Sequence, residues 1–105
     1  MKAFIPSKVL DRLVVLADVP EPVPASDEAV IEVAAYSMNR GETFLLERPA
    51  DGWRPGKDIS GTVLHAAADG SGPVAGTRVV AHPPSAGWAE RAAVPTGKSL
   101  HCPSP

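Results

Sequence analysis

Cysteine is almost missing from this chain: Cys102 stands alone, so no internal disulfide can brace the fold, and the composition suits a reducing compartment. An excess of one charge is missing too. Ten Lys and Arg against twelve Asp and Glu leave a formal net charge of −2. The basic residues are scattered, with no stripe to neutralise phosphates, which argues against nucleic acid as a partner. No apolar run approaches the roughly 20 residues that cross a bilayer. The opening stretch Met1 to Leu10 is broken by Pro6, Ser7 and Lys8, where a secretory signal would keep an apolar centre. The expectation is a cytoplasmic protein with no membrane partner. At 105 residues the chain suits one domain, 1–105, with a small core and modest stability of its own.

What is plentiful is punctuation. Twelve prolines and nine glycines are spread along the chain and cut it into short segments, which favours strands over helices. Pro20, Pro22 and Pro24 alternate in a short extended connection. Met1 to Ile5 and Arg12 to Ala17 are apolar and rich in β-formers, and they read as an opening hairpin. From Glu28 to Tyr36 the side chains alternate, with Ile31, Val33 and Ala35 on one face and Glu28, Glu32 and Ala34 on the other. Thr62 to Ala67, Thr77 to His82 and Trp88 to Val94 follow as further strands, separated by Asp69-Gly70-Ser71-Gly72-Pro73 and by Pro83-Pro84. Many short strands with regular turns predict a mainly β sandwich or barrel. One segment breaks the rhythm: residues 40–47, with Phe44, Leu45 and Leu46 together, predict two turns of helix that end before Pro49. Asn39 and Glu42 fit the entrance to that helix as a cap and its reciprocal partner.

The order of junction residues resembles the medium-chain dehydrogenase/reductase superfamily, in its zinc-independent quinone oxidoreductase branch. Asn39-Arg40-Gly41-Glu42-Thr43-Phe44 is similar to the family's Asn-x-x-Asp/Glu-x-Tyr segment. Pro55-Gly56-Lys57-Asp58-Ile59-Ser60-Gly61 is similar to Pro-Gly-x-Asp-x-Ala-Gly. Gly76-Thr77-Arg78-Val79 and Gly87-Trp88-Ala89-Glu90 resemble Gly-Asp-Arg-Val and Gly-Ala-Tyr-Ala-Glu, and all four matches stand in the family's order. The resemblance spans nearly the whole chain. It implies the GroES-like domain, a partly open β-barrel with one short helix, that forms the substrate-side half of an NADPH-dependent reductase of quinones or enones.

Departures from the pattern refine that expectation. Zinc-dependent relatives carry a cysteine where this chain has Asn39 and a histidine where it has Lys57, and an ammonium group repels a cation. The resemblance therefore implies hydride transfer without zinc, with NADPH as the cofactor. It also implies that Asn39 faces the cleft, where its amide would donate to a developing oxyanion or hold the nicotinamide ribose; the helix cap explains the same residue equally well. Asp58 would orient a substrate or close the turn after Gly56, with the turn favoured. Tyr36 and Phe44 would line an apolar wall for a ring-shaped acceptor, or belong to the core, the core being favoured for Tyr36. His65 and His82 have no Cys or carboxylate at ligand spacing, and His101 is merely adjacent to Cys102, so no metal site is expected. Cys102 has no positive cluster beside it other than His101, which leaves it no nucleophilic role.

The βαβ pattern of a Rossmann cofactor domain is absent from these residues, and Gly70, Gly72 and Gly76 read as turn glycines. Leu100 to Pro105 is similar to the interior of the family's Pro-x-Pro-x-Gly-Leu-Ser connector, so the natural chain is expected to continue into the missing Rossmann domain. The isolated domain is expected to be inactive, with an exposed face that favours a homodimer. The rival reading is a standalone co-chaperonin-like assembly barrel, since Asp11-Arg12-Leu13-Val14-Val15 resembles that family's first strand. A third is the enoyl-reductase unit of a polyketide or fatty-acid synthase.

Overall fold

Alternation makes Glu28–Tyr36 the axis of the molecule. The computed structural model describes residues 1–7, 14–38, 46, 53–83, 85–97 and 100–101. Within them run strands β1 (Lys2–Pro6), β2 (Val14–Asp18), β3 (Glu28–Tyr36), β4 (Ile59–His65), β5 (Arg78–Ala81), β6 (Arg91–Pro95) and β7 (Leu100–His101). The opening hairpin forms as expected, with Lys2 opposite Asp18 and Pro6 opposite Val14. The other five strands make an antiparallel sheet in the order β6-β3-β4-β5-β7.

The two sheets are joined rather than closed. Ala3 bridges Ala89, Phe4 N donates to Trp88 O at 2.9 Å, and Glu90 N donates to Lys2 O at 3.1 Å. The hairpin thus continues onto the segment that leads into β6. Among the described residues β2 and β7 do not pair, so the barrel is partly open. The short helix expected over 40–47 lies outside the described residues except at Leu46, which is helical and buried.

Aliphatic side chains fill the interior. Ala29 and Ile31 of β3 meet Ile59 and Val63 of β4, Val79 and Ala81 of β5, Ala92 and Val94 of β6 and Leu100 of β7, with Val33 packed against them. The face that begins at Ile31 and Val33 is the buried one, as alternation predicts. It fails at Ala35, which is exposed because a register irregularity between Val33 and Ala35 breaks the period.

Two glycines of the family-like segments permit close approaches. At Gly61 a Cβ would overlap the Glu32 carbonyl oxygen of the neighbouring β3. At Gly56, φ is 121°, and a Cβ would strike the backbone nitrogens of Gly87 and Trp88. Those nitrogens instead donate to Gly56 O at 3.1 Å and Pro55 O at 3.2 Å. The Pro55–Gly61 and Gly87–Glu90 segments therefore brace each other. Gly70, Gly72 and Gly76 occupy turns at positive φ, as expected.

Strand limits differ from expectation where side chains carry no period. β4 begins at Ile59 rather than Thr62, β6 begins at Arg91 rather than Trp88, and β7 occupies a stretch that reads in sequence as connector. Its two residues owe their strand geometry to pairing with Val80 and Ala81.

Candidate functional site at one end of the sheet

Register assembles a row of polar side chains at the rim of β3, β4 and β5. Tyr36 lies opposite Ile59, and Ile59 lies opposite Ala81. One step further along each strand brings Ser37, Asp58 and His82 side by side. Asp58 Oδ1 pairs with His82 Nδ1 at 2.5 Å, and Asp58 Oδ2 accepts from Ser37 Oγ at 3.3 Å. Ser37 N also donates to the Asp58 carbonyl at 3.1 Å. The carboxylate holds the orientation of the imidazole through Nδ1.

Antiparallel pairing sets Ser37 and His82 within reach of the Asp58 carboxylate on either side. His82 does have a carboxylate partner, supplied from 24 residues upstream by strand pairing rather than by local spacing. Among the described residues no three His, Cys, Asp or Glu side chains gather in a group that could hold a metal ion.

Tyr36 requires a correction. It is 44% exposed rather than part of the core. Trp88, 3% exposed, takes the interior position, and Tyr36 stacks on it with centroids 5.5 Å apart and planes at 25°. Phe4 meets Tyr36 edge-on at 6.4 Å. Trp88 Nε1 donates to Ser37 O at 3.2 Å, which ties the aromatic cluster to the polar row.

Tyr36 and Asp58 are thus brought together. They line a cleft of about 300 Å³ with Ser37, Ile59, Ser60 and Val80. Asn39 and Phe44, the other candidates, lie outside the described residues. Asn39 follows Ser37 by two positions, and the exposed Lys57 precedes Asp58. Ser37, His82 and Trp88 escape sequence reasoning as site residues. Their only signal is register: once Ile59 faces both Tyr36 and Ala81, the row follows.

Two further ion pairs lie away from this rim, one at the start of β6 and one across the β1–β2 hairpin. Arg91 Nε and Nη2 clasp Glu21 at 2.5 and 2.7 Å, holding the Glu21 carboxyl down at about 2. Lys2 Nζ sits 2.9 Å from Asp18 and lowers that carboxyl as well.

The comparisons agree on the architecture. The quinone oxidoreductase of Thermus thermophilus, solved also with NADPH, matches 100% of this chain at 31% identity with a TM-score of 0.74. The chain has the GroES-like fold of medium-chain dehydrogenases/reductases. A quinone oxidoreductase of Pseudomonas syringae shares the GroES-like fold over 98% of the chain, at 16% identity and a TM-score of 0.85. A Rhizobium etli protein described as a zinc-dependent alcohol dehydrogenase does so over 90%, at 23% identity and a TM-score of 0.80. The chain spans about a third of the length of these structures, 32%, 33% and 31% respectively. No family model matches the sequence, and no curated protein matches it.

Proposed function

We propose that this GroES-like domain is the substrate-side part of an NADPH-dependent oxidoreductase that reduces quinones or enones by hydride transfer without a metal. The observation that carries the reading is the rim cleft. Tyr36 and Asp58 share it, and the chain runs from it directly into Asn39 and Lys57, the two positions where zinc-dependent relatives carry ligands. The similarity to the Thermus thermophilus enzyme supports the same class of chemistry.

In this reading the Asn39 amide donates to the acceptor oxygen as negative charge gathers there. Asp58 orients the acceptor, and Tyr36 and Phe44 form its apolar wall. The donor set explains the metal-free reaction, since neither an ammonium nor a carboxamide replaces a thiolate or imidazole on zinc. The chain's own residues do not fit the nucleotide. A dinucleotide's phosphates need a glycine-rich turn that opens a helix after a strand. Gly70, Gly72 and Gly76 instead sit in turns between strands β4 and β5, so the reading assigns NADPH binding to a further domain. It places the protein in the cytoplasm, with a homodimer as its assembly; among the described residues no helix is long and apolar enough to cross a membrane.

The test is NADPH oxidation by the intact gene product with a quinone, an enone and an enoyl thioester as acceptors. Acceptor-dependent oxidation is expected, unchanged by a zinc chelator, with Asn39→Ala lowering kcat by about a hundredfold. Absence of turnover with every acceptor overturns the reading. A loss of thermal stability with kcat intact in Asn39→Ala restricts that residue to the helix cap.

A further inference from the structure

The chain has only five aromatic residues, two Trp, one Tyr and two Phe, yet three of them, Phe4, Tyr36 and Trp88, wall a second cavity. It lies between the β1–β2 hairpin and β3, has a volume of about 230 Å³, and is lined on the hairpin side by Leu16. We propose that this cavity binds a neutral, planar compound of one or two fused rings, stacked against the exposed side of Tyr36.

Four features choose that ligand class. Trp88 covers one side of the Tyr36 ring, yet Tyr36 remains 44% exposed, so the ring still presents area on which a further ring can stack. Leu16, 59% exposed, adds an aliphatic side chain to the lining. The size falls below the roughly 300 to 1,000 Å³ of pockets for drug-sized ligands, which limits the occupant to a small ring system. The charges at the mouth are already engaged: Lys2 Nζ pairs with Asp18 at 2.9 Å, and a Glu90 carboxylate oxygen accepts from Lys2 N. With Lys2 paired and the Glu90 carboxylate still negative, the mouth offers nothing to hold an anion. The site does not depend on the reductase reading, because occupancy needs neither NADPH nor Asn39.

The experiment is a titration of the chain followed by NMR, with naphthol, its saturated counterpart decahydronaphthol, and charged naphthoate as probes. Naphthol is expected to shift the Phe4, Tyr36 and Trp88 ring signals together with the Ala3 and Ala89 amides. The saturated alcohol and the carboxylate are expected to bind about two- to tenfold more weakly, the saturated alcohol by the range set by aromatic pairing. Tyr36→Leu and, independently, Leu16→Glu should each weaken naphthol binding by about tenfold; both positions are exposed, so the fold tolerates them. A further arm uses naphthoquinone with Cys102→Ser, which removes the thiol that would add to it. Tighter binding than naphthol identifies an electron-poor acceptor as the natural occupant, and equal binding identifies aromatic rings in general. No shift, an equal response to decahydronaphthol, shifts confined to Ser60 and Val80 of the rim cleft, or unchanged binding in both variants overturns the proposal.

Discussion

Glu21 shows how much a single side chain depends on a partner far away in sequence. Arg91, 70 residues on, holds it with two hydrogen bonds, and the N-terminal ammonium lies 3.4 Å away. Its carboxyl titrates at about 2 in the folded chain against an ordinary 4.5. A depressed folded value means that Glu21 favours the fold above pH 4.5, and that this contribution is lost as pH falls towards about 2. Denaturation midpoints measured across that window should fall less steeply for Glu21→Gln than for the native chain. Parallel curves would show that solvent screens the pair into irrelevance. The candidate site obeys the same rule of distant partners, which is why so little of it is legible in the sequence. Asn39 and Phe44 stand out by resemblance, and Tyr36 and Asp58 by position. The Asp58–His82 pair is invisible there because it depends on which residue of β4 faces which residue of β5. Tyr36 reads as core for a related reason: local alternation cannot foresee that Trp88 takes the interior place.

At the scale of elements, period and punctuation are informative wherever a strand is half-buried and long. β3 has the limits its alternation predicts, and the opening hairpin forms from its two apolar runs. β7 is not legible, since two residues carry no period and follow their partner strand. The glycines of the family-like segments are visible as a pattern, but their reason is spatial. Gly61 lies opposite Val33 in the β3–β4 ladder, where a Cβ would overlap the Glu32 carbonyl. An added methyl group must push one strand away from the other or abandon ladder hydrogen bonds. Gly61→Ala should therefore cost about 2 kcal/mol, the middle of the range for overpacking. For a domain near this size that corresponds to a fall in Tm of roughly 8–16 °C. Thermal denaturation followed by circular dichroism measures it. A fall below about 2 °C would mean that the β3–β4 pair yields without cost, and the close approach would then not account for the glycine.

For the whole molecule, the decisive fact is proportion: the chain matches about a third of each structure compared with it, and nearly all of its own length takes part in the match. In the proposed reading this barrel contributes the acceptor side of a cleft, and its own glycines Gly70, Gly72 and Gly76 turn between strands β4 and β5 instead of cradling phosphates. The chain of 105 residues by itself should not oxidise NADPH in the presence of a quinone, although the ring cavity, built wholly from its own residues, should still bind. These two outcomes separate chemistry from recognition. Interfaces between domains bury roughly 600 to 1,500 Å², so a purified domain left without its partner should also show concentration-dependent self-association. Light scattering combined with the absorbance assay makes the distinction. Steady NADPH oxidation above the uncatalysed rate would refute the division of labour proposed here. A silent chain that assembles into a ring of about seven subunits would instead support a co-chaperonin-like barrel, because a closed ring requires two different, mutually complementary surfaces that meet head to tail, which a reductase's acceptor domain does not need.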